Sequence, residues 1–317
     1  MRTYPFPLDL VRERSPERPV ALVRPRSVSV AARWFQDNLN ADVFYAVKAN
    51  PSRWVIETLV EAGVTAFDVA SLSEIELVRS VSADARLAFM HPVKSRGAIT
   101  RAGVFVDIVD VGGGFPSVYP GMVPPDMSEY ADAIHRGFNE MPVSETTELW
   151  CEPGRALVAE SSSVLCRVDL RKGDALYLND GSYGSLFDAT HSRWPFPTKL
   201  VRDAEASSEL RPFQFYGPTC DSIDHMPGPF WLPADIREGD FIEIGMLGAY
   251  GVAMSTGFNG YGEHDIAIVE DAPMASLYGL APRSIPTVRT TAEEQARKIV
   301  RLSRPKGKAG QRKKQRR

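Results

Sequence analysis

Short apolar runs alternate with helix-spaced segments through the first half of the chain, the order that a parallel α/β sheet or barrel requires. Val43 to Val47 reads as a buried strand. A helix follows over Pro51 to Gly63, because Trp54, Ile56, Leu59 and Val60 share a face and Gly63 stands where a helix would end. Ala66 to Val69 is the next strand. Ser71 to Val81 reads as a helix with Ser71 as its N-cap and Glu74 at capping-box spacing. Leu87 to Met90 is a further strand, and the unusually long run Val104 to Val111 leads straight into Gly112-Gly113-Gly114.

From Glu148 onward the texture changes to short strands between Gly- and Pro-containing turns, with little helical periodicity. Expected strands are Ser163 to Leu170, Ala175 to Leu178, Pro212 to Tyr216 and, after the Glu238-Gly239 turn, Asp240 to Ile244. Thr290 and Glu293 have the spacing to cap a short helix near the end. The expected organisation is an α/β domain over 26–150, a β-rich domain over 151–280 to which 1–25 can add a strand, and a basic, disordered tail over 281–317.

At 317 residues, 44% apolar and 24% charged, the chain has the make-up of an ordinary soluble globular protein. No apolar run approaches the roughly 18 residues of a membrane span. The opening Met1 to Pro19 is charged and broken by prolines, unlike a signal peptide, so a cytoplasmic, non-membrane protein is expected. Cys151, Cys166 and Cys220 are widely spaced and show no zinc-type pairing, so no metal site is expected and any cysteine that matters acts as a thiol. The 21 residues from Arg297 hold 11 Lys or Arg and no acid. Residues 1–296 then hold 26 basic and 40 acidic side chains, a balance of −14. Such a tail can bind nucleic acid or another polyanion, although a solvated tail is the simpler reading.

Lys48, in Tyr45-Ala46-Val47-Lys48-Ala49-Asn50, stands where an apolar strand ends, a place where desolvation lowers an ammonium pKa and favours Schiff-base chemistry. Most strand-end lysines are merely solvated. Gly112-Gly113-Gly114 lets backbone amides approach an anion, or simply forms a tight turn. Glu152-Pro153-Gly154-Arg155, taken alone, reads first as a salt-bridged corner. Cys220 and Asp221 lie on a constrained loop, and Gly248-Ala249-Tyr250 ends a strand with a phenol.

The order of Y-A-V-K-A-N, F-D-V-A-S, G-G-G-F-P, E-P-G-R, N-D-G-S-Y-G, G-P-T-C-D-S, G-A-Y and F-N-G resembles the ornithine and diaminopimelate decarboxylase family, from about Val43 to Gly260. The resemblance implies a pyridoxal-phosphate enzyme with a TIM-like (β/α) barrel followed by a β-barrel or sandwich domain. It implies that Lys48 bonds to the cofactor, that Gly112, Gly113, Gly114, Arg155 and Tyr250 hold its phosphate, and that Glu152 faces the pyridine nitrogen. A carboxylate there keeps the ring protonated and electron-accepting. Family active sites form between two subunits of a homodimer, so Cys220 would return a proton to the substrate carbon across the interface and Asp221 would bind the distal amine. Asp68 and Asp180 match positions near cofactor and substrate. Asp188 and His191 are further candidates in a stretch that departs from the family pattern.

Diaminopimelate enzymes resemble this chain less at position 221, where they carry Glu and ornithine-type enzymes carry Asp. The resemblance therefore favours ornithine or lysine, decarboxylated to a diamine in polyamine biosynthesis, over diaminopimelate in lysine biosynthesis. It breaks between Lys48 and Gly112, which are 64 residues apart. An eight-stranded barrel needs roughly 250 residues. The expectation is a truncated or remodelled barrel without the family's ring-stacking histidine. Its rival is a non-catalytic homologue that pairs with and regulates a full-length decarboxylase.

Overall fold

The computed structural model describes residues 1–88, 107–141 and 143–280. The first sheet is wholly parallel. Its strands β3 (Asp42–Ala46), β4 (Ala66–Asp68), β5 (Arg86–Ala88), β6 (Ile108–Asp110) and β7 (Glu148–Cys151) run in the order β5-β4-β3-β7-β6. Among the described residues β5 and β6 each pair on one side only.

Helices α2 (Pro25–Asn38), α3 (Arg53–Glu61) and α4 (Leu72–Val81) alternate with these strands. Pro25 presets the first turn of α2, and Val28, Ala31, Ala32 and Phe35 form its buried stripe. On α4 the Ser71 Oγ accepts the Glu74 N–H at 3.3 Å, as the spacing predicts, but Glu74 reaches back to the N–H of Ala70 instead of Ser71. The strand expected over Val43 to Val47 starts and stops one residue earlier. Val47–Ala49 instead tightens into a 3-10 turn, closed by Asn50 N–H donating to Val47 O. Residues Phe89, Met90 and Val104 to Val106 of two expected strands, and the Thr290–Glu293 cap, lie outside the described residues.

The second sheet is mostly antiparallel and centres on β8 (Ser162–Lys172). Its 11 residues let β8 serve several partners. One flank pairs with β2 (Val20–Val23), the other with β13 (Phe241–Ile244), and the far end turns into β9 (Ala175–Leu178). The sheet continues from β9 to β11 (Leu210–Tyr216) and β12 (His225–Pro233), and β10 (Thr198–Val201) pairs with β13. On the other side β2 takes β14 (Asp265–Val269), which takes β1 (Arg2–Tyr4), both parallel. Helix α1 (Pro7–Arg14) seals a cluster of Tyr4, Leu10, Val20, Leu22, Leu165 and Val269. Both sheets belong to one compact unit. The remaining α-helices among the described residues are α5 (Met127–Asn139), α6 (Arg155–Val158) and α7 (Phe187–His191). No described helix is long and apolar enough to cross a membrane.

One buried acid makes stability depend on pH. Glu160, 5% exposed, accepts the N–H of Leu277 at 2.6 Å, and the Tyr278 hydroxyl donates to Ala156 O nearby. Burial pushes the Glu160 carboxyl up to about 7, against hydrogen bonds from Ser276 and Leu277. The folded chain then holds a proton that the unfolded chain has already released, so stability falls as pH rises from about 4.5 through 7. Glu160→Gln is expected to remove this fall and to raise the unfolding free energy at pH 8 by about 2 kcal/mol. Urea titrations of both proteins at pH 5 and pH 8 check this, and an equal gain at both pH values would contradict it.

Candidate active site

The C-terminal ends of the parallel strands collect the polar groups of the first half, as open and closed α/β sheets generally do. Lys48 projects from the turn after β3, Asp68 ends β4, Asp110 ends β6, and Glu152 follows β7. The Lys48 Nζ stands 3.7 Å from Asp68 Oδ2. A cavity of about 770 Å³ opens here, bordered by Lys48, Gly113, Gly114, Glu152, Arg155 and Tyr250. Lys48 is half exposed toward it, at 56%.

Contacts from the second sheet's loops fix the lysine turn. Asn50 Nδ2 donates to Gly248 O at 2.7 Å, and Tyr250 N–H donates to Ala49 O at 3.0 Å. Tyr250 is in the left-handed region, φ 55°, a strained conformation that the turn enforces. Gly112 and Gly114 have φ of 71° and 84°, and a Cβ on Gly113 would meet Glu152 O at 2.8 Å. The glycine turn and the Glu152 backbone therefore approach more closely than any side chain allows.

Glu152 carries an unusual carboxyl. Its Oε1 is buried without a hydrogen-bond partner. Burial first, and then Asp110 and Asp68, push it up to about 7, while Lys48 works the other way. Asp110, whose Oδ1 accepts the Gly112 N–H at 2.8 Å, thus ties the glycine turn to the acid. Nothing about Asp110 stood out in the sequence beyond a carboxylate just before the glycines.

Arg155 lies between aromatic faces. Its Cζ is 4.3 Å from the Trp194 ring centre and 4.7 Å from that of Tyr250. Nη1 donates to the Tyr119 hydroxyl at 2.9 Å, and Nη2 to Asp188 Oδ2 at 3.2 Å. Tyr119 and Trp194 come from Pro- and Gly-containing stretches without periodicity, so no local signal marks them.

The other candidates lie elsewhere. Asp180 is 3% exposed and does not border the cavity. Its carboxylate accepts from Gly181 N–H, the Ser185 hydroxyl and His264 Nε2, the last at 3.0 Å. Burial disfavours a charged His264 ring, yet the hydrogen bond and charge of Asp180 hold its pKa above the ordinary histidine range. Asp221 accepts from Ile223 N–H and the Tyr183 hydroxyl, which lower its pKa. Cys220, exposed and at φ 61°, also stays off the cavity wall, whereas Cys151 and Cys166 are buried. The Cys220 loop is held by Asp224, another residue without a sequence signal, which accepts from Thr219 and Ser182 through both backbone and hydroxyl groups. Among the described residues no histidine borders the cavity, and no group of His, Cys, Asp or Glu is arranged to hold a metal ion.

An amine and a raised carboxyl facing one cavity beside a side-chain-free glycine cradle and an arginine define the class of site that takes an aromatic phosphate cofactor. The orphaned Glu152 Oε1 and the Gly113 approach fit pyridoxal phosphate. The comparisons agree. The model of the pyridoxal-dependent decarboxylase pyridoxal binding domain matches residues 26–105 and 98–159. Ornithine decarboxylase of Cricetulus griseus is 26% identical over 306 residues, 87% of this chain and 63% of that protein. Antizyme inhibitor 2 of Xenopus laevis is 30% identical over 175 residues, 49% of this chain and 37% of that protein. The crystal structure of lysine/ornithine decarboxylase complexed with cadaverine from Vibrio vulnificus shares the fold. Its TM-score is 0.67 at 22% identity, covering 83% of this chain and 96% of that one. The pyridoxal-binding-domain match over residues 26–159 and these likenesses support the fold-type III pyridoxal-phosphate decarboxylase family, whose cofactor is pyridoxal phosphate. It spans less than two thirds of the length of these curated relatives.

Proposed function

We propose that this chain decarboxylates a basic L-amino acid, ornithine or lysine, to the corresponding diamine. The observation that carries the reading is the convergence of Lys48 and Glu152 on one cavity beside the Gly112–Gly114 turn. Bound there, pyridoxal phosphate supplies an electron-accepting ring for the electron pair left when carbon dioxide departs from Cα. Lys48 is the covalent anchor, and Asp68 keeps its amine oriented. Glu152, already inclined to hold a proton near neutrality, would hold a proton for the ring nitrogen. The glycine turn, Arg155 and Tyr250 bind the phosphate.

The loop held by Asp224 serves a second copy of the chain, where Cys220 returns a proton to Cα and Asp221 binds the distal ammonium. Asp180 acts at a distance, through His264 and Ser185. In this reading the five parallel strands are a shortened barrel and the second sheet is the β domain that pairs the subunits. The likeness to antizyme inhibitor 2 favours a second reading, a non-catalytic homologue that pairs with a full-length decarboxylase.

Borohydride trapping after incubation with pyridoxal phosphate, followed by peptide mass mapping, tests the anchor. The label is expected on Lys48, and a label spread over surface lysines would overturn the assignment. Carbon dioxide release is then expected from ornithine or lysine. Release from diaminopimelate alone would refute the role of Asp221, and labelling of Lys48 with no release from any of the three would favour the regulator.

A further inference from the structure

The anion-binding arginine of this cavity is already engaged. Arg155 donates one nitrogen to Asp188 and another to Tyr119, while Trp194 and Tyr250 cover its faces. Asp188 and Trp194 form one unit, because the Trp194 N–H donates to the Asp188 backbone carbonyl at 3.3 Å. The short helix α7 and the segment that follows it thus present an acid and an aromatic plate to the same guanidinium. Neither side chain of the ion pair is more than 20% exposed, so solvent screens it only partly.

The charge balance gives this contact a consequence. Lys48 and Arg155 are the only cations bordering the cavity among the described residues. Lys48 is committed to the reactive amine, which leaves Arg155 for a phosphate. Its charge is matched by Asp188, so an incoming dianion meets a neutral pair and, close by, a carboxylate of its own sign. We infer that Asp188 is a charge-balancing lock on Arg155. It orients the guanidinium in the absence of ligand and weakens the hold on a phosphate monoester, so that the cofactor remains exchangeable. This rests on the reading of Arg155 as the phosphate partner.

Asparagine separates the two effects of Asp188, since its amide oxygen still accepts from Arg155 while the negative charge is gone. Equilibrium dialysis of the full chain against pyridoxal phosphate and against pyridoxal, which lacks the phosphate, reads the difference without any turnover. Asp188→Asn is expected to bind pyridoxal phosphate about tenfold more tightly and pyridoxal unchanged. Asp188→Ala, which also loses the hydrogen bond, is expected to gain less. Arg155→Met is expected to lower the preference for pyridoxal phosphate over pyridoxal and to abolish the effect of Asp188→Asn in the double variant.

An unchanged preference in Arg155→Met would place the phosphate elsewhere and overturn the Arg155 assignment itself. A lowered preference there, combined with no gain in Asp188→Asn and weaker binding in Asp188→Ala, would make Asp188 a structural support only and overturn the lock.

Discussion

Lys48→Ala is expected to lower carbon dioxide release from the preferred amino acid by about three orders of magnitude or more, the scale of loss when a covalent partner is removed. Wild-type protein is expected to develop a visible absorbance band with pyridoxal phosphate, and the same variant to lack it. The turn that carries Lys48 is held by Asn50 to Gly248 and Tyr250 to Ala49, contacts that do not involve the lysine side chain. The side chain itself is half exposed. Its removal is therefore expected to change unfolding free energy by no more than about 1 kcal/mol, so the lost activity is not lost folding. Single-turnover assays beside a thermal melt check both halves. Retention of the absorbance band in the variant would show that the amine at position 48 is not the anchor.

Arg24→Met is expected to have the largest effect on stability, about 3–5 kcal/mol. Arg24 is 3% exposed and faces Glu243, 1% exposed, together with Asp271. Its Nη2 donates to both carboxylates at 2.8 Å, its Nη1 donates to the Ser163 hydroxyl at 2.9 Å, and Ser163 donates in turn to Glu243 at 2.6 Å. One guanidinium thus holds two carboxylates inside the second sheet. Methionine fills the space but leaves the two acids facing each other without a counter-charge. Burial already pushes the Asp271 carboxyl up and Arg24 opposes it, so without the guanidinium the penalty grows as pH rises through that raised pKa and shrinks in mild acid. Urea unfolding at pH 5 and pH 8 measures it, and a loss below about 1 kcal/mol at pH 8 would mean that the network contributes little.

Much of the parallel sheet was legible because each strand and helix carries its own periodic signal. Ala66–Asp68 falls within the strand expected there and Ser71 caps its helix as its spacing implies, while in the second sheet Ala175 to Leu178 was found at the expected residues. The bringing together of Lys48 and Glu152 was readable only from the order of motifs, since no local pattern links residues 104 apart. The enclosure of Arg155 was not legible. Tyr119 and Trp194 sit in irregular segments, and which face they cover depends on tertiary packing. The burial of Asp180 against His264 was not legible either, because its partner stands 84 residues away.

The central position of β2 bears on how the chain is made. The four residues Val20–Val23, all buried, take hydrogen bonds from β8 on one edge and β14 on the other. On the ribosome this apolar segment emerges early, yet its neighbours are synthesised only past residues 162 and 265. Until then it has no shelter of its own, and loop closure over such distances is slow. Nascent chains stalled before residue 265 should consequently be chaperone clients and protease-sensitive, with protection arriving in one late step as β14 leaves the exit tunnel.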